Sequence, residues 1–150
     1  MKGLRKVLYV FWGQFLESLT SKRVWIGYLI SIVLSLKMAY QYCGYAYERV
    51  IQIFEPGIIN LMGLGNVLLL LIGYVFIVSD APFVNHRSTM ALYRTSRTQW
   101  FYGMSLYISV HGILYYLVGL LTTCIYSMSR AFTNNLWSRP MRHLALYPSQ

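Results

Sequence analysis

The chain is short of acid. Asp and Glu together number 4 in 150 residues, against 13 Lys and Arg, and charged residues of every kind make up only 11%. Glu17, Glu48, Glu55 and Asp80 are scattered, and none falls inside a long apolar run. General acid–base catalysis needs positioned titratable partners, so no enzyme activity is expected. Cysteine is equally scarce. Cys43 and Cys124 lack Cys or His neighbours at ligand spacing, so neither metal nor cofactor is expected, and one pair does not establish a disulfide framework. The chain also lacks a Gly-rich phosphate loop followed by Lys and Ser or Thr, so nucleotide hydrolysis by this chain is not expected.

What is abundant is apolar. Hydrophobic residues reach 57% and aromatics 17%, with net charge +9. A basic nucleic-acid binder gathers its Lys and Arg on a polar, foldable module. Here they flank apolar runs instead, which is the pattern that orients helices in a bilayer. The reading is an all-α integral membrane protein with no nucleic-acid partner: an interfacial amphipathic helix over 1–20, then a membrane domain over 21–150 with three transmembrane helices.

Over 3–19, Leu4, Leu8, Phe11, Trp12, Phe15, Leu16 and Leu19 recur at helical spacing, while Lys2, Lys6, Gly13, Gln14 and Glu17 fall toward the other face. That pattern predicts a helix lying flat among lipid headgroups; the other reading is an ordinary helix packed on another protein surface. No small-x-small cleavage site follows the first long run, so this segment is expected to be retained. The first span is predicted over 24–42, where Gly27, Ser31 and Ser35 recur every four residues as a close-packing face. Lys37 lies near the exit and can snorkel; the other reading is a charge in a pathway.

A connection over 43–57 holds Glu48, Arg49 and Glu55, and a second span follows over 58–78. Asn66 and Gly73 are seven apart and share a face, which suits a helix–helix seam better than a substrate contact. The third span covers 100–126. Ser105, Ser109, Gly112, Gly119 and Thr123 form one small-residue stripe on it, and Tyr107, His111, Tyr115, Thr122 and Tyr126 a polar-aromatic one. Tyr107, His111 and Tyr115 are candidates for lining a path. No second ligand stands at i+3 or i+4 from His111, so a neutral histidine hydrogen-bonded in the bundle is the better reading.

Lys2, Arg5, Lys6, Lys22 and Arg23 place the N-terminus in the cytoplasm of a multi-pass plasma-membrane protein. The polar loop over 79–99 is then cytoplasmic as well. Three spans leave the tail over 127–150 outside, although it carries Arg130, Arg139 and Arg142. Either the tail is an exception to the charge rule or the third run re-enters; that run is short for two crossings of about twenty residues each.

The stretch Ser79-Asp80-Ala81-Pro82-Phe83, then Tyr93-Arg94-Thr95-Ser96-Arg97-Thr98-Gln99-Trp100 and Gly103, resembles bacterial permease subunits of the type-2 exporter class of ATP-binding-cassette (ABC) transporters. The resemblance implies an interfacial helix ahead of six spans. It also implies a coupling helix between the second and third spans that docks on a separate ATPase subunit. Asp80, Pro82, Phe83, Arg87, Arg94 and Arg97 are the residues it assigns to that docking; Arg87, Arg94 and Arg97 alternatively meet lipid phosphates or only enforce topology. Three spans amount to the N-terminal half of such a permease, which implies a second permease copy or half as partner beside membrane lipids. The competing reading is a small multi-span interaction protein, an immunity or assembly factor, that works by helix packing without nucleotide.

Overall fold

The computed structural model describes residues 2–46, 51–79, 81–82, 95–129, 131–133, 137–138 and 141. Helix dominates them: α1 (Lys2–Thr20), α2 (Lys22–Tyr45), α3 (Glu55–Asn60), α4 (Leu64–Val78) and α5 (Arg97–Ser127), with two-residue strands β1 (Ile51–Gln52) and β2 (Ala131–Phe132). Helices α2, of 24 residues, and α5, of 31, are long and apolar enough to cross a membrane. At 1.5 Å per residue they measure roughly 36 and 46 Å.

The second expected span is not one helix. It breaks at residues 61–63, leaving a six-residue α3 and a fifteen-residue α4 of roughly 22 Å. Asn60, Gly63, Gly65 and Asn66 crowd the break with poor helix formers. The backbone tightens there, with Leu61 N–H donating to Ile58 O and Met62 N–H to Ile59 O, both at 3.0 Å. Two membrane-length helices therefore stand where three are expected, and the described helices number five.

Helix α5 also begins three residues before the expected Trp100. Ser96 and Gln99 cap it reciprocally: Gln99 N–H donates to Ser96 Oγ at 3.4 Å, and Ser96 N–H to Gln99 Oε1 at 3.2 Å. This Ser-x-x-Gln box satisfies two amides that the first turn leaves without helical partners.

The chain divides into two compact units. In the first, Met1–Leu29 with Gly73–Tyr115, α1 packs lengthwise on α5. Gly3 faces Gln99, Val7 and Val10 face Gly103, and Ser18 meets His111, so the two helices run parallel. One face of the first helix is covered by this contact. The reason is α1's inner stripe, Val10, Gln14 and Ser18, which is buried while Leu4, Leu8, Trp12 and Leu16 stay exposed. In the same unit α4 meets α2 where Gly27 lies against Ile77 and the Gly73 carbonyl, and Tyr74 donates to Ile108 O of α5 at 2.8 Å.

The second unit holds Ile30–Ile72 and Tyr116–Gln150. Here β1 and β2 pair in parallel, Ile51 with Ala131 and Gln52 with Phe132, over a small core of Tyr42, Cys43, Ala46 and Ile51. Gly119 of α5 approaches Ser31 and Ser35 of α2 so closely that an added Cβ would lie 3.0 and 2.9 Å from their hydroxyls.

Candidate functional site

Two polar knots carry the chemistry of the described residues, one in each unit. The first is centred on His111. Helix α1 supplies Phe15 and Ser18, α2 supplies Tyr28, and α5 supplies Tyr107 and His111 one turn apart. Ser18 Oγ donates to its own helix at Phe15 O, 2.7 Å away, so toward His111 it has only lone pairs to offer. Nε2–H therefore donates to Ser18 Oγ at 3.0 Å, and Nδ1 accepts from Tyr28 O–H at 2.9 Å. A neutral imidazole uses both nitrogens in that arrangement. Phe15 stacks on the ring at 5.3 Å between centroids, and Tyr107 meets it edge-on at 4.6 Å.

A serine beside a histidine is the pairing used for nucleophilic catalysis. Here the hydroxyl proton is committed to a carbonyl and Ser18 is 0% exposed, so the pair binds helices together. Tyr107, His111 and Tyr115 are all buried. Tyr115 lies 6.2 Å from Tyr28 and 5.9 Å from Tyr74, so the stripe joins α2, α4 and α5 through aromatic contacts.

The second knot is centred on Glu55, the first residue of α3, which is 0% exposed. Its carboxylate accepts four hydrogen bonds. Ser138 N–H donates to Oε1 at 2.6 Å; Ser138 Oγ, Tyr42 OH and Gln52 N–H donate to Oε2 at 2.6, 3.0 and 3.1 Å. All four partners are donors, which suits an acceptor-only group, and charge-assisted bonds of this kind contribute about 1.5–3 kcal/mol each. The knot draws the end of α2, the first connection and the segment after β2 into one assembly. The cysteines beside it are free: Cys43 Sγ is 4.0 Å from Ser127 Oγ, and Cys124 Sγ donates to Ile53 O at 3.7 Å.

Among the residues expected to pack helices, Gly119 meets Ser31 and Ser35, and Gly27 meets Gly73, while Gly112 rests on the Tyr74 ring instead of a small-residue partner. Asn66 donates to Met38 Sδ at 2.9 Å, and the Gly73 carbonyl lies against Gly27. For the docking set, Asp80, Phe83, Arg87 and Arg94 lie outside the described residues. Pro82 is exposed, and Arg97 is exposed in the first turn of α5.

Sequence reasoning passed over Glu55, Tyr42, Ser138, Ser18 and Tyr28. Nothing local marks the Glu55 partners, which come from 42, 52 and 138. The Ser96-x-x-Gln99 box, in contrast, was a readable helix start. Compared with known proteins, the chain matches no family model, no curated sequence and no solved structure.

Proposed function

We propose that the chain is a membrane-embedded permease subunit, or the N-terminal half of one, that performs no covalent chemistry and couples to a separate ATPase through the loop over 79–99. The observation that carries its membrane residence is the inversion of ordinary burial. Leu64 is 80% exposed and Leu4 68%, while Ser18, Ser35, Glu55 and Thr123 are 0% exposed. Large apolar side chains outside and hydrogen-bonded polar groups inside suit a lipid solvent. In this reading α2 and α5 each cross, and α3, its break and α4 make the third passage together.

The N-terminus and the 79–99 loop lie in the cytoplasm. The first connection and the start of the tail share the opposite side, a placement supported by the pairing of 51–52 with 131–132. The coupling role rests on the Asp-x-Pro-Phe and Arg-x-x-Arg resemblance. It is supported by the capped start of α5, which turns the end of the loop directly into a 31-residue lever. Displacement of the loop by a nucleotide-driven partner passes along α5 and, through Gly103 and His111, into α1. The test is affinity purification from cells expressing the chain with its genomic neighbours. An ATPase co-purifies with the wild type and is lost with Phe83→Ala and Arg87→Ala. An intact chain that recruits no ATPase sinks the coupling role.

One observation favours the second reading, a small multi-span interaction protein acting by helix packing. The stripe that would line a path, Tyr107, His111 and Tyr115, is closed within its unit by hydrogen bonds and rings. Activity of the isolated chain without nucleotide would select this reading over the permease.

A further inference from the structure

Asn60 is the last residue of α3 and is 5% exposed, although Leu61 and Met62, which follow it in the break, are open to the outside. Its amide turns inward onto α2. Nδ2–H donates to Ser35 Oγ at 3.2 Å, and Oδ1, equally buried, meets no donor among the described residues. Turning the amide over only moves the problem: Oδ1 would then accept from the Ser35 hydroxyl, and Nδ2 would lack an acceptor. One polar atom of this side chain is left over in either orientation, and a buried polar group of this kind calls for a partner.

The same place in the second unit is lined with hydroxyls. Ser31 and Ser35 of α2 are both buried, and both turn their oxygens toward Gly119 of α5, which puts no side chain between them. Accepting from Asn60 leaves Ser35 its own proton to donate. Thr123, one turn further along α5, cannot serve Asn60, because its hydroxyl donates to Leu120 O at 2.8 Å. Its Oγ1 would lie 3.2 Å from a Cβ on Gly57, so the backbone of α3 rests directly on α5 and closes the cluster from that side.

We propose that Asn60, Ser35 and Ser31 bind one structural water at the broken helix. The water accepts the Ser35 hydroxyl proton and donates to Asn60 Oδ1, closing a ring with the Nδ2–Ser35 bond. Its second proton goes to Ser31 Oγ, which gives it the three bonds typical of a buried water. A cation fits this cluster less well: there is no carboxylate in it, and Ser35 presents a proton as well as an oxygen. Asn60 stands directly before the break, so the water fastens the last turn of α3 to α2 where the chain over 61–63 leaves the helix. Ordered water is one of the means by which interrupted helices satisfy their polar groups inside a membrane. The inference depends on no ATPase and holds for either reading of the function.

The test is a crystal structure of the full chain, fine enough in detail to show ordered water. In the wild type a density peak stands about 2.7–3.0 Å from both the Asn60 amide and Ser35 Oγ. In Asn60→Leu, which keeps a side chain at that place but removes its polar atoms, the peak is gone. A wild-type map with an ordered Asn60 side chain and no peak overturns the proposal. So does a peak that survives unchanged in Asn60→Leu. A peak ringed by six or more oxygens at about 2.3–2.6 Å marks a cation and overturns the water as well. Should Asn60→Leu fail to purify as a single species, the wild-type map decides by itself. A chain that recruits no ATPase but shows the peak sinks the coupling role and leaves this inference standing.

Discussion

Gly27, Gly103 and Gly119 stand at close approaches, but the atoms they face differ, and that difference sets what a methyl group costs. At Gly27 the added Cβ meets Ile77 at 2.5 Å and the Gly73 carbonyl at 2.8 Å; backbone cannot rotate away. At Gly119 it meets the Ser31 and Ser35 hydroxyls, side-chain atoms and not backbone, of which Ser35 Oγ accepts from Asn60 Nδ2 at 3.2 Å. Gly13 has nothing within 4 Å of that position. Gly27→Ala is therefore expected to destabilise by about 1–3 kcal/mol through overpacking. Gly119→Ala should cost less, and Gly13→Ala should be neutral or stabilise by up to about 1 kcal/mol. Thermal melts of the detergent-solubilised protein give the order; equal losses at all three positions would refute the packing account. In the same melts Glu55→Gln, which turns an amide NH2 or a weaker acceptor toward four donors, should cost about 1–3 kcal/mol.

The elements of this chain are set as much by how they begin as by their apolar content. Helix α5 starts where Ser96 and Gln99 exchange hydrogen bonds with each other's backbone, and this anchors the end of the polar loop to a long lever. Loss of a side-chain cap costs about 1 kcal/mol, or about fivefold in an opening equilibrium. Ser96→Ala is thus expected to speed amide hydrogen exchange at Gln99 and Trp100 about fivefold while leaving the middle of α5, around His111, unchanged. Uniform acceleration along the helix would mean that packing on α1, not the cap, holds its start. The interrupted second expected span follows the same logic: the apolar run over 58–78 is divided at residues 61–63 because glycine and asparagine weaken the helix there.

At the scale of the molecule, the described residues of each unit leave large apolar side chains exposed and bury hydrogen-bonded polar groups, an imidazole in the first unit and a carboxylate in the second. The proposed topology predicts a definite sidedness. Phe54→Cys and Trp137→Cys, both at exposed positions near the Glu55 knot, are expected to react with a membrane-impermeant maleimide added to intact cells once Cys43 and Cys124 are replaced by Ala. Ser96→Cys, exposed at the start of α5, should react only after lysis. Labelling of 54 and 137 from opposite sides would break the three-passage topology, since the strands beside them are hydrogen-bonded.

The sequence by itself determined the helical class and two of the long apolar helices, because hydropathy is a local signal, and it placed Gly27, Ser31, Ser35 and Gly119 on small-residue stripes. It also carried the α5 cap in four consecutive residues. Only the tertiary structure decided that α1 packs its Val10–Gln14–Ser18 stripe on α5, that His111 is shared by Ser18 and Tyr28, and that Glu55 is enclosed by residues from 42, 52 and 138. Those partners lie up to 93 positions apart in the chain. Hydrogen bonds over such separations leave no periodic trace in a single sequence; they exist only once packing has brought a lone pair and a proton together.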